Sequence, residues 1–153
     1  MMQRVFLDTN ILLDMLLERH GFEYPAEILQ MHEKGELTAC QSSLSLTNIA
    51  YVLRKEFSRQ LLISTINQLC SVTEVLPVDD SMVRDATMLD GPDFEDLVQT
   101  VCAVRGNCPV IITRNIKDFR ISKGLLKDFP TPAVMTPEAF LSMHQDLSIS
   151  TDL

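Results

Sequence analysis

Short apolar runs alternate along the chain with longer segments whose apolar residues recur at helical spacing. Val5 to Leu7 predicts a buried strand. It stops at Asp8-Thr9-Asn10, and Ile11 to Leu17, apolar except at Asp14, predicts a helix that begins at once, with Thr9 and Asn10 as caps. Gly21 to Pro25 reads as a turn, Ala26 to Lys34 as a helix closed by Gly35, and Leu37 to Cys40 as a strand. A helix capped within Ser42 to Thr47 should run to about Phe57, and another should span Gln60 to Cys70. Thr73 to Val78 reads as a strand ending at Asp79-Asp80, and Ser81 to Leu89 as a helix opened by acids, as its dipole prefers. After Gly91-Pro92, Asp93 to Asp96 opens a helix with Phe94, Leu97, Val98, Val101 and Cys102 on its apolar face. Pro109 to Ile112 and Ala133 to Met135 read as strands around the loop Thr113 to Phe119. Pro137 opens a final helix to about Met143, and the polar residues 146–153 read as a frayed tail after a domain spanning 1–145. Strands alternating with helices predict an α/β fold with a mostly parallel sheet and helices on both faces.

Polar residues that interrupt this pattern are the first candidates for chemistry. Asp8 sits at the carboxyl end of the first strand, the edge at which open α/β sheets bind ligands. It also suits a helix cap. Asp93 and Asp96 open a helix just before a strand, and Asp118 lies in the loop after that strand. Strand carboxyl ends and helix starts can share one sheet edge, so these acids can converge, and converging carboxylates repel unless something positive lies between them. Hard oxygen ligands suit Mg²⁺ or Mn²⁺, which can activate a water for attack on a phosphodiester. Each acid also has an ordinary explanation: Asp93 and Asp96 approach a capping box, and Asp118 fits a turn. Asn48 stands within an apolar stripe with Leu44, Tyr51 and Val52, either hydrogen-bonded in the core or turned into a site.

Charge complicates the picture. The 153 residues carry a formal net charge of −8, whereas nucleic-acid binders are usually basic. The distribution offsets this: Arg54, Lys55 and Arg59 crowd one segment, and Arg114, Lys117, Arg120, Lys123 and Lys127 another. Arg114 and Lys117 flank the presumed site and are placed to contact phosphate, or else belong to a solvated face. Cys40, Cys70, Cys102 and Cys108 lack zinc or redox spacing and read as reduced thiols of a cytoplasmic protein. No signal-peptide pattern and no apolar run of about 18 residues is present, so no membrane span is expected.

Four stretches, VFLDTNILLD, LSLTNIAYVLRK, DFEDLVQTVCA and VIITRNIKDF, resemble the PIN domain family, in particular its VapC-like toxin branch. They occur in the family's order and span nearly the whole chain. The resemblance implies a three-layer α/β/α fold and an Mg²⁺- or Mn²⁺-dependent endoribonuclease acting on RNA. It also implies a homodimer and a small antitoxin partner, for which the helices from Ala26 and over Ser43 to Cys70 are the candidate surface. The family's first acid falls on Asp8, with Thr9 and Asn10 beside it, and the acid of the late helix on Asp96, with Asp93 close by. A glutamate usual in the mid-chain helix falls on Asn48. An aspartate usual after Thr113-Arg114 falls on Asn115, leaving Asp118 as the nearest substitute. By this mapping Asp8, Asp96, Asp118 and Asn48 are catalytic candidates and Asp8, Asp96 and Asp93 metal ligands. Thr9, Asn10, Thr113 and Asn115 support them, and Arg114 and Lys117 bind RNA.

Two other readings compete. Asn48, Asn115 and the acidic charge suit a PIN-like domain that binds RNA or a protein without cleaving. A phosphatase using Asp8 is disfavoured, because Asp8-Thr9-Asn10 lacks the second aspartate that a haloacid-dehalogenase-like enzyme needs.

Overall fold

The computed structural model describes residues 2–119 and 130–151. Five strands, β1 (Arg4–Leu7), β2 (Thr38–Ser42), β3 (Glu74–Leu76), β4 (Val110–Ile112) and β5 (Ala133–Met135), form one sheet in the order β3-β2-β1-β4-β5. Every pairing is parallel. Helices α1 (Thr9–Leu16), α2 (Glu23–Glu33), α3 (Ser43–Leu53), α4 (Arg59–Val72), α5 (Asp80–Ala86), α6 (Phe94–Arg105) and α7 (Pro137–Thr151) supply the connections, with a 3-10 turn at Ile116–Phe119.

The two-residue period of the strands sorts their side chains into two cores. Val5, Leu7, Ala39, Val110 and Ile112 pack with Ile11, Leu12, Ile28, Ile49, Leu69 and Phe140 from α1, α2, α3, α4 and α7. Phe6, Cys40 and Ile111 point the other way, onto Cys102 and Ala103 of α6. Three layers result, with the central strands covered on both faces, as an all-parallel sheet requires. Among the described residues no helix is long and apolar enough to cross a membrane.

Several local expectations change: the turn expected over Gly21 to Pro25 is already helical from Glu23, and the helix expected to reach about Phe57 ends at Leu53. Thr9 is not a cap but the first residue of α1, and Asp8 occupies the N-cap position with extended backbone. The apolar face expected of α6 lacks Phe94, which is 49% exposed, whereas Leu97 to Val104 are buried on all sides. That stretch lies between the sheet and α5, so burial there does not follow one stripe. The last helix does not stop near Met143: it continues to Thr151, so the tail expected to fray from 146 is helical that far.

Candidate metal centre at the carboxyl edge of the sheet

From β1 the chain runs to β2 and β3 on one side and then resumes at β4 on the other, so the strand order reverses between β1 and β4 and a crevice opens beyond their carboxyl ends. Asp8 stands there. Its amide donates to the carbonyl of Ile112 (3.0 Å), and its Oδ2 accepts from the hydroxyl of Thr113 (3.0 Å), the residue after β4. The side chain makes no cap bond to α1, although the residue occupies the N-cap position. Its carboxylate is thus engaged by the Thr113 hydroxyl and by the backbone amide of Thr9, both of which favour its charged form. Asp8 is only 3% exposed. Burial pushes its pKa up to about 6; the Thr113 hydrogen bond opposes this, and the nearby charge of Glu95 adds to it.

A cleft of about 310 Å³ opens beside Asp8, lined by Thr9, Asn10, Leu13, Asn48, Tyr51, Val52, Asp93, Glu95, Asp96 and Asn115. Residues distant in the chain are therefore gathered from the start of α1, the face of α3, the start of α6 and the loop after β4. Asn48 is half-buried and opens on this cleft, which places it at the site rather than enclosed in the core. Asp93 is exposed and its Oδ1 accepts from the amide of Asp96 (3.3 Å), so it caps α6 as well as lining the cleft. A larger groove of about 570 Å³, lined by residues of α2 and α7 among others, shares no residue with this cleft.

Arg114 and Lys117 are not on its walls. Arg114 reaches α1 instead: its Nε lies 2.7 Å from Oδ2 of Asp14, a buried carboxylate whose other oxygen is 3.2 Å from Arg19. Lys117 is exposed on the 3-10 turn. The side chain of Asp118, and all of Arg120, Lys123 and Lys127, lie outside the described residues.

Four participants were not singled out from the sequence as site residues. Gln99 on α6 is fully buried. Its Nε2 donates to Thr9 Oγ1 (2.9 Å) and Ser45 Oγ (2.8 Å), and its Oε1 accepts from Ser42 Oγ (2.6 Å). Thr9 Oγ1 in turn donates to Glu95 Oε1 (3.0 Å). The available signal was a glutamine beside Thr100 in an otherwise apolar stretch of the helix, since a buried amide must find partners. Ser42 and Ser45 read only as caps, and Ser42 is indeed the cap of α3.

The lining holds four carboxylates and three asparagine amides, and no lysine or arginine among its described residues. Among the described residues no three acidic, histidine or cysteine side chains are gathered tightly enough to form a ready-made metal cage. An oxygen-only set with a loose arrangement fits a hard divalent ion that keeps part of its water shell, as Mg²⁺ does.

The family profile of the PIN domain matches residues 4–117, well over half of the chain. The chain belongs to the PIN domain family. Solved structures share its fold. VapBC2 of Rickettsia felis, bound to a promoter DNA fragment, is 18% identical with a TM-score of 0.63, over 86% of this chain and 97% of that one. DNA-bound VapBC of Salmonella typhimurium is 18% identical with a TM-score of 0.61, over 89% and 99%. A toxin–antitoxin complex from Klebsiella pneumoniae is 19% identical with a TM-score of 0.58, over 87% and 97%. No curated protein sequence matches the chain. Within this PIN domain the neutral residues Asn48 and Asn115 stand on the same cleft as the acids Asp8 and Asp96.

Proposed function

We propose that this PIN domain is a divalent-metal-dependent endoribonuclease, the toxin of a toxin–antitoxin pair. One observation carries the reading: Asp8 from the end of β1 and three carboxylates from the start of α6 line one cleft at the strand-order reversal, without a basic residue among the described lining. In this reading Asp8 and Asp96 hold Mg²⁺ or Mn²⁺, with Asp93 in support and Asn48 contributing a carbonyl oxygen. Thr113 fixes the rotamer of Asp8 through its hydroxyl, and Asn10 and Asn115 offer amides to ligand water. A bound ion of this kind supplies Lewis-acid stabilisation of a phosphoryl oxygen and a more acidic water. Arg114, anchored by Asp14, and the exposed Lys117 hold the RNA backbone beside the cleft. Asp118 is a further candidate acid, in the same loop. An antitoxin partner is proposed on the VapBC and toxin–antitoxin complexes that share the fold, and self-association on the apolar residues that α3 and α4 leave exposed, Tyr51, Val52, Leu61 and Ile63.

Asn48 and Asn115 favour a second reading, in which the same cleft binds RNA or a protein but cleaves slowly or not at all. The two separate in a cleavage assay on single-stranded RNA, with Mn²⁺, with Mg²⁺ and with EDTA. Cleavage that needs the ion and disappears in Asp8→Asn and Asp96→Asn supports the nuclease. RNA binding without ion-dependent cleavage supports the binder.

A further inference from the structure

We propose that Glu95 supplies the negative charge that Asn48 leaves missing from the cleft, and that Thr9 and Gln99 are positioning residues holding it toward a divalent cation. The inference rests on the metal-site reading above and assigns residues within it.

Glu95 lies in the first turn of α6, half-buried, on the same cleft as Asn48 but from a different element. A glutamate in a first turn is ordinarily free to swing into water. Here its Oε1 accepts the hydroxyl hydrogen of Thr9 (3.0 Å), and Thr9 is the residue after Asp8. Thr9 has one hydrogen to give. Its oxygen is approached by the Gln99 amide (2.9 Å) and by the Ser45 hydroxyl (2.8 Å). With both as donors, the Thr9 hydrogen is directed at Glu95. Gln99 cannot turn over without loss, because both hydrogens of Nε2 and its Oε1 are in use. The chain of bonds therefore runs from the cap of α3 through the middle of α6 to the first residue of α1, and finishes on a carboxylate. A polar cluster serving only the fold would be equally satisfied by a neutral glutamine at position 95, whose carbonyl accepts the same hydrogen. Holding a second acid toward Asp8 is favourable only when a cation lies between them.

The test is Mn²⁺ affinity, read by titration calorimetry and by the Mn²⁺ resonance signal on the full chain, independently of cleavage. Glu95→Gln keeps the Thr9 bond and removes only the charge; it should bind Mn²⁺ about 10–100-fold more weakly. Thr9→Val, of matching shape, should weaken binding in the same direction, and Thr9→Ser should restore it. Asn48→Glu added to Glu95→Gln should recover the affinity, because the charge returns to the cleft from α3. Gln99→Met, with a melting curve in EDTA to verify folding, should lose affinity as Thr9→Val does. Parent-like Mn²⁺ binding by Glu95→Gln, with binding lost in Asp8→Asn, overturns this assignment and leaves the metal centre standing. A parent protein that binds no Mn²⁺ overturns both.

Discussion

Asp8 shows how a single residue can work against the fold that holds it. Its pKa stands at about 6 in the folded chain, against 3.8 for an ordinary aspartate, chiefly because burial penalises the charged form. Between those two values the folded state keeps a proton that the unfolded state has lost, so stability falls as pH rises through that window. The accumulated penalty at neutral pH is about 3 kcal/mol, because a tenfold change in proton affinity corresponds to ~1.4 kcal/mol. In EDTA, Asp8→Asn should therefore melt higher than the parent at pH 7.5 and nearly with it at pH 4, as scanning calorimetry can show. With millimolar Mn²⁺ the order should narrow or reverse, because the ion stabilises by mass action only the chain that binds it. An Asp8→Asn protein less stable than the parent in EDTA at pH 7.5 would contradict the sign. Asp8 was legible in the sequence because it ends a strand; Gln99 was not. Its neighbours Val98 and Thr100 are also buried, so no periodic stripe marks it, and its partners lie more than fifty residues away in sequence.

At the scale of elements, α6 and its N-cap carry three of the cleft's four carboxylates and most of the surprises. Its order in the chain and its limits were readable from Gly91-Pro92, the acids and Gly106. Its full burial was not, because that depends on α5 closing over it. The strands were readable as apolar runs, but their order in the sheet, which creates the cleft, is a tertiary fact. Two variants probe the helix from its ends. Asp93→Ala removes the cap of α6 and should destabilise by about 0.5–2 kcal/mol, whereas Asp93→Ser keeps a capping oxygen and should recover most of it. The serine variant isolates the charge: a weaker Mn²⁺ response than the parent assigns Asp93 to the metal, and an unchanged response leaves it a cap. At the other end, a Cβ on Gly106 would come 2.4 Å from Cδ1 of Leu76 and 3.1 Å from the carbonyl of Cys102. The leucine is buried and the carbonyl cannot retreat, so Gly106→Ala should lower stability by roughly 1–3 kcal/mol in denaturant titration.

For the molecule as a whole, the tension is between an acidic chain and the polyanionic substrate proposed for it. With a net charge of −8 and carboxylates lining the cleft, long-range forces oppose RNA, so any affinity must come from local cations and a bound metal. The sequence suggested Arg114 and Lys117 together, but the structure separates them. Arg114 is paired with buried Asp14, so its removal leaves that carboxylate to Arg19, and its reversal sets two acids face to face. A drop in RNA binding by Arg114→Glu would thus mix lost phosphate contact with a damaged fold. Lys117 is exposed, so Lys117→Glu should leave the melting temperature within about 1–2 °C of the parent, as surface changes typically do. If Lys117 contacts phosphate, this variant should bind single-stranded RNA more weakly at low salt. The dependence of log affinity on log salt should flatten by about one contact, a slope change of roughly 0.7. The measurement is fluorescence anisotropy of a labelled oligonucleotide in Mn²⁺ over a salt series, using Asp8→Asn to suppress cleavage. Parallel salt lines for Asp8→Asn with and without Lys117→Glu would assign Lys117 to the solvated surface and leave Arg114, on its Asp14 anchor, as the cation of that loop to test next through Arg114→Lys.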